Sequence, residues 1–307
     1  MDDSLELIAD GVRAERAGAY DRALTTFRLA GAATADPDVQ VQALTHEADV
    51  LRAQCAWDEA TAAARRAQGI AWEADLADRY LEALNAEANI LTAHGFLDEA
   101  RPILERVVAG TTDRRLRGIA LQNLGTICAQ TGQCGTAERA FTESLGNFQK
   151  AGYVRGECIA LNNLGRLALD GGDCRRAAPL LQRSFTLARD IEDLELAAIA
   201  SLNLAWSHCA AGEVDQAQDH AMSALGHFSS CQNRWREIEC FRLIGDINER
   251  CEDWANAERC YGIALSVAEQ IGSEPEARAT RDRIAAMERR SAQSRRESPP
   301  GGVSALA

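Results

Sequence analysis

His46, His94, His208, His220 and His227 are the only histidines of the chain. A zinc site needs such rings at short fixed intervals, as in HExxH or paired Cys and His positions. No two of these stand at that spacing. His208 and Cys209 are the nearest thing to a base and thiol couple, but successive side chains on a helix diverge by about 100°, which keeps ring and sulfur apart. The ten cysteines include no CxxC pair, so most read as small apolar residues in a reducing compartment. Cys134 and Cys174 share one repeated position, and Cys231, in a loop, is the thiol best placed to react. No GxxxxGK[ST] and no GxGxxG after a strand is present to cradle a phosphate. The expectation is a chain without metal, cofactor or catalytic residues, one that works by binding.

The elements that would carry a binding surface show in the small residues. Ala23, Ala60, Ala100, Ala137, Ala177, Ala217 and Ala257 recur at 37 or 40 residues. Twelve positions before each stands a second small residue: Gly11, Ala48, Ala88, Gly125, Gly165, Ala205 and Gly245. Two helices approach closely only where side chains are small, so each pair predicts the crossing of a helical hairpin, helix A with helix B. The intervening turn places Gly18, Gly95, Gly132, Gly172 and Gly212 at one slot, with Cys55 and Glu252 there in repeats two and seven. A helix C-terminus favours a residue tolerant of positive φ at such a slot. Four and seven residues past the helix-B Ala, pairs such as Phe27 and Ala30 or Leu181 and Ser184 complete one buried face.

Residues 161–185, LNNLGRLALDGGDCRRAAPLLQRSF, resemble a tetratricopeptide repeat (TPR), and residues 120–145, ALQNLGTICAQTGQCGTAERAFTESL, match it closely. Family repeats run about 34 residues; the longer period here resembles a subclass of roughly 40, found in bacterial regulators and in adaptors that grip peptides. The resemblance implies an all-α, right-handed superhelical solenoid of about seven hairpins over 1–274, with repeats near 4–36, 41–73, 79–113, 114–152, 154–192, 194–232 and 234–272. A capping helix is expected over 275–290 and a disordered tail over 291–307. The first three repeats depart from the pattern: Asp10, Glu47 and Glu87 stand just before the small residue, where Leu124, Leu164, Leu204 and Ile244 stand later.

In such a solenoid helix A lines the concave face, and residues at one helical slot form a ladder. Asn123, Asn163 and Asn203, each two residues before the small one, make the clearest ladder. A carboxamide has two donors and an acceptor, enough to bond successive peptide groups of an extended strand. In the related adaptors an Asn here clasps ligand backbone, which the resemblance extends to these three. The same carboxamides also suit bonds between neighbouring helices, and both readings stand. The flanking slots add Gln122, Asn162, Arg166, Leu202, Trp206, Arg242 and Asp246. Arg166 suits a ligand carboxylate; Leu202, Trp206 and Cys209 suggest one apolar anchor pocket, although Trp206 suits packing between repeats better than a ligand anchor. The chaperone-type carboxylate clamp is missing, because its basic slot holds Gln42, Glu82, Ile119, Ile159, Ile199 and Glu239.

The net charge of −13 argues against a nucleic-acid partner. The N-terminus has no apolar run of a signal peptide, and no stretch is long enough to span a bilayer, so a cytoplasmic bacterial protein is expected. The functional expectation is a non-catalytic scaffold or adaptor holding an extended peptide segment of a partner. The alternatives are a ligand-responsive sensor acting on a transcription or signalling partner, and a self-assembling homo-oligomer. The chain's own basic tail, Arg289 to Arg296, is a further candidate occupant of the groove.

Overall fold

The computed structural model describes residues 3–297, which form fifteen helices. They fall into two compact units divided after Ala160, inside the ninth helix. The first unit holds α1 (Asp3–Arg16), α2 (Tyr20–Ala32), α3 (Pro37–Ala53), α4 (Trp57–Glu73), α5 (Ala77–His94), α6 (Leu97–Gly110), α7 (Arg114–Gln130), α8 (Cys134–Ala151) and the start of α9 (Val154–Asp170). The second holds the rest of α9, then α10 (Cys174–Asp190), α11 (Leu194–Ala211), α12 (Val214–Ser230), α13 (Arg234–Arg250), α14 (Trp254–Gln270) and α15 (Glu274–Glu297).

From α1 to α14, odd-numbered helices are the A helices and even-numbered ones the B helices, each pair closed at the small residues; α15 follows the seventh pair. All seven anchoring Ala side chains on the B helices are fully buried. The A-helix partner is small for a steric reason. A Cβ on Gly125 would lie 2.6 Å from the Phe141 ring, and one on Gly165 would lie 2.5 Å from Leu181. Gly11 faces Phe27 and Gly245 faces Tyr261 in the same way. Where the A helix carries Ala48 or Ala205, the B helix carries only Ala64 or Ala221. Four crossings thus set Gly against bulk and two set Ala against Ala, while Ala88 shares its crossing with Leu104, and the interior stays close-packed.

The turns behave as the slot demands. Gly18, Gly95, Gly132, Gly172 and Gly212 have positive φ, and Cys55 and Glu252 adopt the same left-handed conformation at φ 59° and 56°. Helix starts are capped by acids and an amide: Asp36, Asp113, Asp173, Asp193, Asn233 and Asp253 each accept a backbone N–H of the first turn.

The early acids Glu47 and Glu87 are buried and satisfied. Arg28 on α2 donates to Glu47 at 2.7 Å, and Arg65 on α4 donates to Glu87 at 2.9 Å, with Gln68 adding a bond at 2.8 Å. The C-terminal helix differs from expectation in length. It continues seven residues past 290, to Glu297, and its side chains find partners on α13 and the turn after it: Arg290 bonds Glu249 at 2.6 Å, Ser294 bonds Glu252 at 3.3 Å, and Ser291 is buried. The rest of the expected disordered tail lies outside the described residues. No helix among the described residues is long and apolar enough to cross a membrane.

Candidate peptide-binding face

The ladder asparagines must first be placed. In the first unit, Asn123 on α7 donates through Nδ2 to Oδ1 of both Asn85 and Asn89 on α5. In the second, Asn203 on α11 is buried and donates to Oδ1 of Asn162 on α9 at 2.9 Å. The slot two residues before the small one therefore reaches back to the preceding A helix and joins its flanking slots. Asn123, Asn203 and Asn162 hold helices together in this structure, the second of the two readings open to the sequence. Asn163 is the exception: half-buried on α9, its carboxamide has no hydrogen-bond partner among the described residues.

One turn along α9, Arg166 is exposed and its Nε contacts Asp170 at 2.9 Å. An exposed pair four residues apart on a helix is worth only about 0.3–0.5 kcal/mol, so a ligand carboxylate can take the guanidinium. In the first unit, Gln122 on α7 has a buried Oε1 without a donor.

Two expected features are not there. Leu202 and Cys209 are 2% and 3% exposed and share a core cluster with Leu243, Ile244 and Ile247 of α13, so they form no anchor pocket. Their slots face the next A helix, and in this repeat that neighbour is apolar. Burial raises the Cys209 thiol above its ordinary range.

Arg242 and Asp246 are not open to a ligand either, because α15 occupies them. Arg242 meets Glu276 at 2.6 Å, Asp246 takes Arg283, and Glu249 takes Arg290. The order cation, acid, acid along α13 thus faces acid, cation, cation along α15 at seven-residue intervals. The Tyr261 hydroxyl of α14 lies 2.6 Å from Asp246 and 2.7 Å from Glu249, with one proton to donate between them, and burial together with these carboxylates holds its phenol well above the usual range. Burial opposes the charge on Arg283, yet its bond to Asp246 outweighs this and raises its pKa. Arg283 also lies over the Trp206 ring, 5.8 Å from its centroid, so Trp206 packs between α11 and α15.

Sequence reasoning missed this acid and arginine lattice, although the heptad of Glu276, Arg283 and Arg290 was present to be read. Of the basic tail considered as a groove occupant, Arg290 does dock onto α13.

The repeated A/B hairpin, its small crossing residues and its left-handed turns recur in solved structures. The Rap conjugation gene regulator of plasmid pLS20, solved with the Phr peptide, superposes with a TM-score of 0.70 at 15% identity, covering 90% of this chain and 76% of that one. The apo quorum sensor NprR of B. thuringiensis gives 0.66 at 14% identity over 86% and 76%. A Rap protein complexed with competence and sporulation factor gives 0.64 at 15% over 94% and 75%. The fold is of the tetratricopeptide-repeat type. No protein-family model and no curated protein sequence matches the chain.

Within the TPR hairpins the histidines concentrate in repeat six. His208 of α11 and His220 of α12 stack at 5.5 Å with rings 5° from parallel. Ser201 Oγ lies 3.0 Å from His220 Nδ1, and His208 Nδ1 lies 2.5 Å from Glu213. Burial first, and the neighbouring His208 second, hold the His220 pKa below its ordinary value. Ser201 is 1% exposed, so this arrangement packs a hairpin and offers no nucleophile to a substrate. Cys231 caps the end of α12 and is exposed, while Cys134 and Cys174 open α8 and α10.

Proposed function

We propose that the chain is a non-catalytic TPR binding module that takes an extended peptide segment along the A helices of its second unit, at α9 and α11. The observation that carries this reading is the unpartnered carboxamide of Asn163, one helical turn from the exposed Arg166. A half-buried amide with spare donors and acceptor suits a ligand's peptide group, because a direct bond there replaces one to water in a partly desolvated site. Arg166 would hold a carboxylate of the same ligand. Asn203 and Asn162 would position α11 against α9 without touching the ligand. Pre-organised helices lower the ordering cost of such binding.

Neighbours solved with a peptide or factor, and one described as a quorum sensor, favour a peptide that regulates over one that is merely held. A regulatory peptide would shift the chain between conformations, and its binding would change the radius of gyration in solution scattering; passive scaffolding would leave it unchanged.

The binding mode is tested by fluorescence anisotropy with a linear peptide selected against the full chain from a random library. Asn163→Ala and Arg166→Gln should each weaken binding by about tenfold or less, on the scale of one or two charge-assisted or neutral hydrogen bonds, and leave Tm unchanged. Asn203→Ala should instead lower stability by about 1–2 kcal/mol. Equal, unaltered affinity for the first two variants would overturn the mode.

A further inference from the structure

The first unit contains an open cleft of about 550 Å³ where the start of α7 meets the C-terminal half of α8. Its walls are Arg114 and Arg117 from α7, Thr112 from the preceding joint, and Glu143, Asn147 and Lys150 from α8, over a floor at Gly146. A Cβ on Gly146 would meet nothing within 4 Å, so the floor is open.

The charge of this cleft runs against the composition. The chain has 33 Lys and Arg against 46 Asp and Glu, yet the cleft gathers three cations around one carboxylate. One of them, Lys150, is the single lysine of the sequence. Among the described residues Arg114, Arg117 and Lys150 have no acid within ion-pair distance. Three converging cations repel one another, and a bound anion relieves that repulsion.

Arg117 is held in place at the wall of this cleft, its Nη2 donating to the Thr111 carbonyl at 2.7 Å, which fixes the guanidinium. Arg114 and Arg117 lie on the first turn of α7, whose positive dipole end adds to the same field.

The lining also sets the chemistry of the rest of the ligand. It contains no aromatic side chain to stack a base and no aliphatic one to hold an acyl chain. Thr112 offers a hydroxyl instead, and Asn147, whose Nδ2 donates to the Glu143 carbonyl at 2.9 Å, offers its Oδ1; the volume exceeds that of a bare oxyanion.

We propose that this cleft binds the phosphate monoester dianion of a small hydroxylated metabolite, with Arg114, Arg117 and Lys150 on the phosphate and Thr112 and Asn147 on the hydroxyl-bearing part. The site is separate from the peptide-binding face of α9 and α11, and either can fail without the other.

The test is isothermal titration of the full chain with glycerol 3-phosphate, beside inorganic phosphate, glycerol and a phosphoserine peptide, at matched ionic strength. Glycerol 3-phosphate should bind saturably at one site per chain, more tightly than inorganic phosphate, and glycerol should not bind. Lys150→Gln and Arg117→Gln should each weaken binding by about tenfold, the scale of one lost charge-assisted contact. Glu143→Gln, which removes the one opposing charge, should tighten it. Lys150 and Glu143 are exposed, so their variants test the site even where Arg117→Gln disturbs folding. No saturable binding, binding indifferent to Lys150→Gln, weaker binding by Glu143→Gln, or binding of the phosphoserine peptide alone would overturn the proposal.

Discussion

Gly125 shows how a single residue type decides a crossing. Its missing Cβ is the space that the Phe141 ring fills, so Gly125→Ala should cost about 1–3 kcal/mol by overpacking. Chemical denaturation measures this, and Phe141→Leu in the same chain should recover part of the loss. Such positions were legible, because the small residues recur at fixed intervals with bulk set opposite. Leu202 was not: its slot is polar in repeats four and five, where Gln122 and Asn162 stand, and only the apolar residues of α13 turn it into core. Asn123 and Asn203 were legible as a ladder, but which way a carboxamide bonds depends on the neighbouring helix. His220 carries a pH prediction. Its folded pKa lies below the unfolded value near 6.5, mainly through burial, so the unfolded chain binds the proton more readily. Stability should be flat above neutrality and fall as pH drops through about 6.5 toward the folded pKa. Comparing Tm across pH 5 to 8 checks this: His220→Gln should flatten the slope, and an equal slope in both chains would contradict it.

Between elements, two of the three departures of the early repeats, Glu47 and Glu87, turn out to be halves of compensated pairs, while Asp10 meets Arg13 on its own helix. An Arg five residues after the helix-B Ala meets an acid one residue before the next small residue, as Arg28 meets Glu47 and Arg65 meets Glu87. In later repeats, apolar Leu124, Leu164, Leu204 and Ile244 occupy the acid's slot. The pairing could have been read from the sequence, since both partners keep their places in the register; it was hidden because the acids were viewed alone against an apolar expectation. Arg65→Ala leaves the buried Glu87 with Gln68 as its remaining donor and should cost about 1–3 kcal/mol. Converting both positions, Arg65→Met with Glu87→Leu, should restore most of that, because only the Glu87 slot is buried and an apolar residue fills the same slot in the later repeats, while Arg65 is exposed. Thermal unfolding of the two variants distinguishes a pair that matters from an incidental contact.

At the scale of the whole chain, a period of 37 or 40 residues runs from Ala23 to Ala257 and each hairpin repeats the same contacts. The fold was therefore legible almost throughout, and its likeness to solved TPR structures at 14–15% identity follows from that pattern and not from shared sequence. The candidate site was less legible. The last described helix, α15, takes the places on α13 that helical spacing alone offers to a ligand, with Arg283 and Arg290 answering Asp246 and Glu249. What remains open on the second unit is centred on Asn163 and Arg166. The most direct measurement is the nitrogen–proton spectrum of the side-chain carboxamides during titration with a selected linear peptide, the Asn163 signal being assigned by its loss in Asn163→Ala. The Asn163 resonances should shift with saturation while those of Asn203, bonded to Asn162, hold their place. A peptide that binds without moving the Asn163 signal would contradict peptide recognition at this face.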